Sequence, residues 1–161
     1  MFDTLITDRT ITDYLRWQEL RNKGIDNMTE AERAEWETDL KGAYNSSDLN
    51  RVGTVLNYLK DRLTEAGYLT GLEFQAITNW KASDIPTAQQ FTYYLKAVET
   101  VRAALTQYKT TPKTPADVGS LDYNGANNIE KILIDIDELI TKMQARKYYS
   151  GDLFSGEVKG V

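Results

Sequence analysis

One apolar spacing occurs three times in this sequence and constrains the fold more than any other feature. In residues 48–63, DLNRVGTVLNYLKDRL, apolar side chains recur every three or four positions, which places them on one side of a helix. The same spacing returns 42 and 77 positions downstream. The eighteen stripe positions are Leu49, Val52, Val55, Leu56, Leu59, Leu63, Phe91, Tyr94, Ala97, Val98, Val101, Leu105, Ala126, Ile129, Ile132, Leu133, Ile136 and Ile140. Because such stripes are stabilised by burial, we predict three long helices that share one core.

The recurrence has two interpretations, and the residues alone leave both open. Every amphipathic helix carries apolar residues at these intervals, so common helical geometry accounts for the match. An internal duplication would also produce it, although the unequal intervals, 42 and then 77 − 42 = 35 residues, are not those of a regular solenoid. In both cases the stripes are core and do not form a cofactor-binding box.

Capping signals predict about five helices. Each signal combines a Ser, Thr, Asp or Asn before a periodic apolar segment with a terminator after it. The predicted helices begin after Thr10, after Thr29 with its capping partner Glu32, after a cap at Ser46, Ser47 or Asp48, after Thr87 with its partner Gln90, and at about Asn124. Their predicted ends lie near Gly24, Leu40, Gly67, Tyr108 and Lys147.

Two segments are not assigned to helices. The run LEFQAIT, within residues 69–80, is too short for its periodicity to distinguish a strand from a helical turn. In YYSGDLFSGEVKGV, glycines alternate with residues that favour β structure, which predicts a short C-terminal β-hairpin or an extended arm. We therefore predict a mainly α, single-domain bundle of about five helices, with a helical domain over residues 1–147 and a C-terminal arm over residues 148–161.

The composition excludes several classes of function. The 161 residues contain no cysteine, which excludes disulfides and thiolate metal sites, and no histidine, which removes the commonest general base and transition-metal ligand. The net charge of −5 argues against a nucleic-acid partner. No apolar run is long enough to span a membrane, and the N-terminus lacks a signal-peptide pattern. We expect no enzymatic activity, no cofactor and no bound metal.

The segment DIDE contains the best candidates for acid–base chemistry. On a helix, Asp135 and Glu138 share one face, as the two carboxylates of a hydrolase or a Mg²⁺ site would. Such a site needs further oxygens from another element, and none is identifiable, so we predict a solvated helix face. Lys142, Arg146 and Lys147 could contact phosphate, but their position at the negative end of the last helix explains them fully.

Two tryptophans have both a structural and a binding interpretation. Trp36 and Trp80 precede the third and fourth predicted helices. If exposed, they would provide platforms for a sugar or a peptide. We favour packing over the helix ends, because tryptophan is usually highly buried.

The predicted arm contains the candidate partner interface. YSGDL and FSGEV share an aromatic–Ser–Gly–acid–aliphatic pattern. A hairpin that packs on its own domain and an arm that reaches another chain are equally compatible with this pattern. In the second case the residues buried by the partner would be Tyr148, Tyr149, Leu153 and Phe154.

Four short motifs follow one another between residues 36 and 157. They are DLNRV (48–52) with Tyr58 and Leu59, Trp80 followed by DIPT (84–87) with Tyr94 and Leu95, Tyr123 with GANNIEKIL (125–133), and YSGDLFSGE (149–157). In order and spacing, the series resembles small structural proteins from prophages and gut phages of Gram-positive bacteria.

The resemblance implies a component of a phage tail, baseplate or receptor-binding apparatus, made in the bacterial cytoplasm and carried in the virion. Its implied partners are copies of itself and other phage structural proteins in a symmetric assembly, and it implies no enzymatic activity. One alternative is a host-surface module that binds carbohydrate through Trp or Tyr. The other is a carboxylate-dependent hydrolase at Asp135 and Glu138.

Overall fold

Helices dominate the fold. The computed structural model describes residues 1–38, 40–68, 74–117 and 121–151, with side chains described up to residue 146. Within these ranges the helices are α1 (Ile11–Lys23), α2 (Glu30–Trp36), α3 (Ser46–Glu65), α4 (Ala88–Ala103) and α5 (Tyr123–Gly151), with short 3-10 turns at Phe2–Thr4 and Ile25–Asn27. No described residue forms a β-strand. The predicted mainly α fold of about five helices is confirmed.

Three helices begin with a capping box built on a threonine. In each, a threonine side chain accepts a hydrogen bond from the backbone three residues later, and the side chain of that later residue accepts one from the threonine N–H. The pairs are Thr10 with Asp13, Thr29 with Glu32, and Thr87 with Gln90. The three predicted helix starts are therefore confirmed, as is the turn at Gly67, whose φ is +78°.

The predicted cap of α3 is wrong by one residue. The cap is Asn45, rather than Ser46, Ser47 or Asp48. Its Oδ1 atom accepts from the N–H groups of Ser47 at 2.9 Å and Asp48 at 3.2 Å. Asp48 completes the box by accepting from the Asn45 N–H at 3.0 Å.

The predicted end of α4 at Tyr108 is also wrong, because the helix stops at Ala103. The Nε2 atom of Gln107 donates to the carbonyl oxygens of Arg102 at 2.5 Å and Leu105 at 2.8 Å. This side chain supplies donors that the next helical turn would otherwise provide, so the chain can leave the helix there.

Helices α3 and α5 run in the same direction. Near their starts, Arg51 of α3 contacts Glu130 of α5, with Nη2 2.9 Å from Oε1. Near their ends, Arg62 of α3 donates to Gln144 of α5 at 2.9 Å. The N-terminal ends of α3 and α5 therefore lie together, and so do their C-terminal ends.

Helix α4 is parallel to both. Tyr94, in its first half, hydrogen-bonds Tyr44, which lies just before α3. Tyr108, just after α4, accepts a hydrogen bond of 3.1 Å from Lys142 near the end of α5. The chain must therefore return along the bundle between successive long helices.

The three apolar stripes meet in one core, as predicted. Every stripe residue is buried except Tyr94, which is half buried and packs against the same core. Complete burial of one aliphatic side chain contributes about 1.5–3 kcal/mol. The stripes are therefore the main source of stability.

The predicted arm remains untested by the structure. The backbone of α5 continues through Gly151, so the helix includes the first four residues of the proposed 148–161 segment. The side chains of Tyr148 and Tyr149 are not described, and Leu153 and Phe154 lie outside the described residues.

Ion pairs outside the core join α1 to α2. Lys23 Nζ lies 2.6 Å from Glu32 Oε2, and Arg16 Nη2 lies 2.6 Å from Glu35 Oε2. The hydrogen bond from Lys23, together with those from the backbone and hydroxyl of Thr29, lowers the pKa of Glu32 to about 2.

We expect acid to weaken the contact between α1 and α2, because Glu32 becomes protonated. Because its folded-state pKa lies below the ordinary value of 4.5, its contribution to stability is present above pH 4.5 and is lost as the pH falls toward 2. We expect a change in tryptophan fluorescence over this interval, reduced in Glu32→Gln. Glu37→Gln, at an exposed position one residue beyond α2, is the matched control. Acid profiles that coincide for wild type and Glu32→Gln would contradict the assignment.

Candidate functional site

Four charged side chains form a buried cluster where the N-terminal segment meets the starts of α3 and α5. Arg9 Nη2 lies 2.7 Å from both Asp48 Oδ1 and Glu130 Oε1, and Arg51 contacts the same two carboxylates. Exposed side-chain fractions are 1% for Arg9, 5% for Asp48, 16% for Arg51 and 0% for Glu130. Two positive and two negative charges cancel, which limits the cost of burial.

Hydrogen bonds to the backbone of the N-terminal segment, residues 6–9, attach this segment to α5. Glu130 Oε2 accepts from the Ile6 N–H at 2.6 Å, and Arg9 Nη1 donates to the Ile6 carbonyl at 2.7 Å. Asn127 then accepts from the Arg9 N–H at 3.0 Å and donates to the Arg9 carbonyl at 2.9 Å. The segment is therefore fixed at two successive points.

The arrangement does not suit acid–base chemistry. Burial lowers the pKa of Arg51, but the hydrogen bond to Glu130 and the charges of Glu130 and Asp48 outweigh it, so the net shift is upward. Both carboxylates accept hydrogen bonds from both arginines, which occupies the lone pairs that a general base would use. We conclude that the cluster holds the fold together.

Two tyrosines adjoin the cluster. The hydroxyls of Tyr44 and Tyr94 hydrogen-bond each other, and the Arg9 guanidinium lies 5.7 Å from the centre of the Tyr44 ring. Burial raises the pKa of both phenols. Both stay protonated at neutral pH and are unsuited to act as nucleophiles or bases.

An extended segment, residues 74–80, lies along α3, and we call it the strap. Asn57 accepts from the Ala76 N–H at 2.9 Å and donates to the Ala76 carbonyl at 3.0 Å. Asn50 does the same for Trp80, at 2.7 and 2.9 Å. Each side-chain amide thus takes the place that a neighbouring strand's peptide group would occupy. We call these pairs asparagine clasps.

A glycine lets the strap approach the helix closely. Gly53 lies between the two clasping asparagines, and all three fall on one face of α3. A Cβ atom on Gly53 would lie 2.4 Å from the carbonyl oxygen of Ile77. The sequence N-x-x-G-x-x-x-N therefore shapes the helix surface that receives the strap.

Removing one clasp should release part of the strap. Asn57→Ala leaves the N–H and carbonyl of Ala76 without their partner, which we expect to cost about 1–2 kcal/mol of unfolding free energy. Denaturation followed by Trp80 fluorescence would measure it, with Asn79→Ala, at an exposed strap position that has no hydrogen bond to a described residue, as the control. Equal stability of the two variants would argue against the clasp.

An open groove of about 350 Å³ separates the strap from α4. Apolar and aromatic side chains form most of its wall, and Lys96 is the one charged residue among the described residues that line it. The principal wall residues are Phe74, Ile77, Trp80, Tyr93 and Ala97.

The predicted solvated face at DIDE is wrong for one of the two candidate carboxylates, Asp135 and Glu138. Asp135 is 1% exposed, because Thr111 in the return segment after α4 covers it and donates to Oδ2 at 2.7 Å. Lys131 pairs with its other oxygen. Glu138 instead lies at the surface, paired with Lys142. The two carboxylates therefore occupy different environments and form no joint site.

The remaining sequence-predicted residues do not converge. Hydrogen bonds from Lys142 to Glu138 and Tyr108 raise the pKa of Lys142, and Arg146 is exposed. Trp36 is half buried at the end of α2, and Trp80 is half buried against the core and also lines the groove. The packing interpretation of Trp80 and its exposure to a ligand are therefore compatible.

Two features are absent from the described ranges. No helix there is long and apolar enough to cross a membrane. No group of three or more Asp or Glu side chains is placed there to hold a metal ion.

Sequence reasoning missed the residues that organise the site. No sequence pattern predicts a structural role for Arg9, Asn50, Arg51, Asn127 or Glu130, although all but Arg9 lie in the motifs that carry the phage resemblance. Glu130 offered a signal, since a charge directly after a stripe residue, on the apolar side of its helix, requires a buried partner. The partners themselves lie too far away in sequence for local periodicity to reveal them.

Comparisons with known proteins add no family assignment. No protein-family model, curated protein sequence or solved structure matches this chain.

Proposed function

We propose that this chain is a structural component of a bacteriophage tail or baseplate, which assembles non-covalently with copies of itself and with neighbouring virion proteins. One observation carries the proposal: within the described residues, motifs behind the phage resemblance supply internal connections of the fold. Asp48 and Arg51 of DLNRV and Glu130 of GANNIEKIL belong to the charge cluster. Asn50 of DLNRV clasps Trp80, which lies four residues before DIPT.

These connections favour an architectural role over a chemical one. Within the described residues, Asp48, Asn50 and Arg51 of DLNRV and Glu130 of GANNIEKIL are used inside the fold, where they join the N-terminal segment, the strap and the parallel helices. A family that shares them would share a rigid body rather than a catalytic centre. A rigid body is what a repeated component of a symmetric assembly needs, because its contacts must recur with one geometry.

The proposal is tested by locating the protein in particles. Particles purified from a lysogen that encodes the chain should contain it at a fixed stoichiometry by quantitative mass spectrometry. Deletion of the gene should give defective tails, rescued by wild type and by Glu138→Gln, a change at the exposed surface of α5. Absence from purified particles would defeat the proposal.

A host-surface carbohydrate module is the second candidate, favoured by the composition of the groove. Trp80 and Tyr93 bring aromatic faces there, and Gln75 and Gln90 add amide groups. Aromatic and amide side chains together suit sugar recognition. Tyr93 is 62% exposed, so Tyr93→Ala should abolish glycan binding without disturbing the core. A glycan array with no bound sugar would remove this candidate.

A further inference from the structure

We propose that the groove between the strap and α4 binds residues 152–158, DLFSGEV, of a second copy of this chain. The inference rests on the proposed self-assembly and names the surface that performs it. It identifies the groove as the surface that Leu153 and Phe154 of the second copy contact.

The groove exposes apolar surface that nothing in the described fold covers. Ile77 is 42% exposed and Tyr93 62% exposed, on opposite walls of the same groove. Adjacent exposed apolar side chains of this size mark interaction sites more often than isolated ones do. The volume of about 350 Å³ is at the lower end of ligand sites, and it suits a few side chains of a peptide better than a packed helix.

Charge complementarity selects the occupant. Lys96 lines the groove, is exposed, and has no hydrogen bond or ion pair with any described residue. In DLFSGEV, Asp152 and Glu157 flank the apolar pair Leu153 and Phe154, so the segment carries two negative charges around its apolar centre. An apolar anchor with a flanking acid matches an apolar groove with a rim lysine.

The position of α5 favours a second copy over the same molecule. Arg51 and Arg62 reach α5 from one side of α3, whereas Asn50 and Asn57 hold the strap on a different side, about a third of a helical turn away. The chain that leaves α5 therefore starts on a different side of α3 from the strap. A neighbouring molecule can approach the groove directly.

Complementation between two variants tests the assignment. The groove variant combines Tyr93→Ala with Lys96→Glu, and the arm variant combines Leu153→Ser with Phe154→Ser. In analytical ultracentrifugation, wild type should self-associate with increasing concentration, and each variant alone should do so at least about a hundredfold more weakly. Mixed in equal amounts, they should form a one-to-one complex, because one supplies an intact arm and the other an intact groove.

Two controls sharpen the result. Lys109→Glu reverses the charge of an exposed lysine outside the groove and should leave self-association unchanged. Lys96→Glu alone should weaken it about fivefold, and addition of Asp152→Lys should restore most of that loss.

Failure of this inference is separable from failure of the proposed function. A variant mixture that stays monomeric, or wild-type association that neither variant weakens, would overturn the groove assignment. If the protein is nevertheless present in purified particles, its structural role stands. Absence from particles removes the structural role whatever the mixture shows.

Discussion

Replacing Glu130 with glutamine is expected to lower the free energy of unfolding by about 3–5 kcal/mol. The substitution keeps the size of the side chain but removes the charge that lies between Arg9 and Arg51. Two buried guanidinium groups would then face Asp48 alone, with an uncompensated positive charge. Denaturation in guanidinium chloride, followed by circular dichroism, measures the decrease in the free energy of unfolding.

Glu138→Gln is the matched control, because the same change is made on the same helix at a half-exposed ion pair with Lys142. We expect an effect below about 1 kcal/mol there. Hydrogen exchange at Ile6 provides a second readout, since its N–H donates to Glu130 Oε2. If both variants lose the same small amount of stability, the cluster does not act as a buried network.

The apolar core could be predicted from the sequence because its signal is local. Stripe residues follow one another at three or four positions, so a short window reveals the buried side of each helix. Capping boxes are local as well, and Thr29 with Glu32 is recognisable from four consecutive residues. Such features do not depend on how the helices pack.

The polar connections could not be predicted because their partners are distant in sequence. Arg9 is 39 residues from Asp48 and 121 from Glu130, so no local window contains a pair. The prediction that Asp135 faces solvent fails for the same reason. Nothing near it in sequence shows that the return segment would bring Thr111 over it.

The structure adds one polar position to the pattern that the first and third stripes share. Asn50 and Asn127 directly follow the first residue of the first and third stripes, 77 positions apart, and each clasps the backbone of an extended segment. In the second stripe the equivalent residue, Thr92, is exposed and bonds only to its own helix. The position next to a stripe therefore marks where a neighbouring segment covers the helix.

Replacing Gly53 with valine is expected to destabilise the protein by about 3 kcal/mol, the second-largest effect we anticipate. A Cβ there meets the Ile77 carbonyl oxygen at 2.4 Å, and this atom belongs to the backbone, so it cannot turn aside as a flexible side chain could. The strap must shift outward, which strains the clasps at Asn50 and Asn57.

Gly53→Ala is a smaller change, and the sign of its effect on stability distinguishes this contact from helix propensity. On propensity alone, Gly53→Ala would stabilise α3 by about 1 kcal/mol. If the strap is held as described, the same change must destabilise the protein and shift the emission of Trp80, whose backbone is clasped at the end of the strap. Thr54→Val, at the next and exposed position, should leave Trp80 emission unchanged. A stabilised Gly53→Ala protein would mean that the strap does not press on α3, and the groove that it bounds would lose one wall.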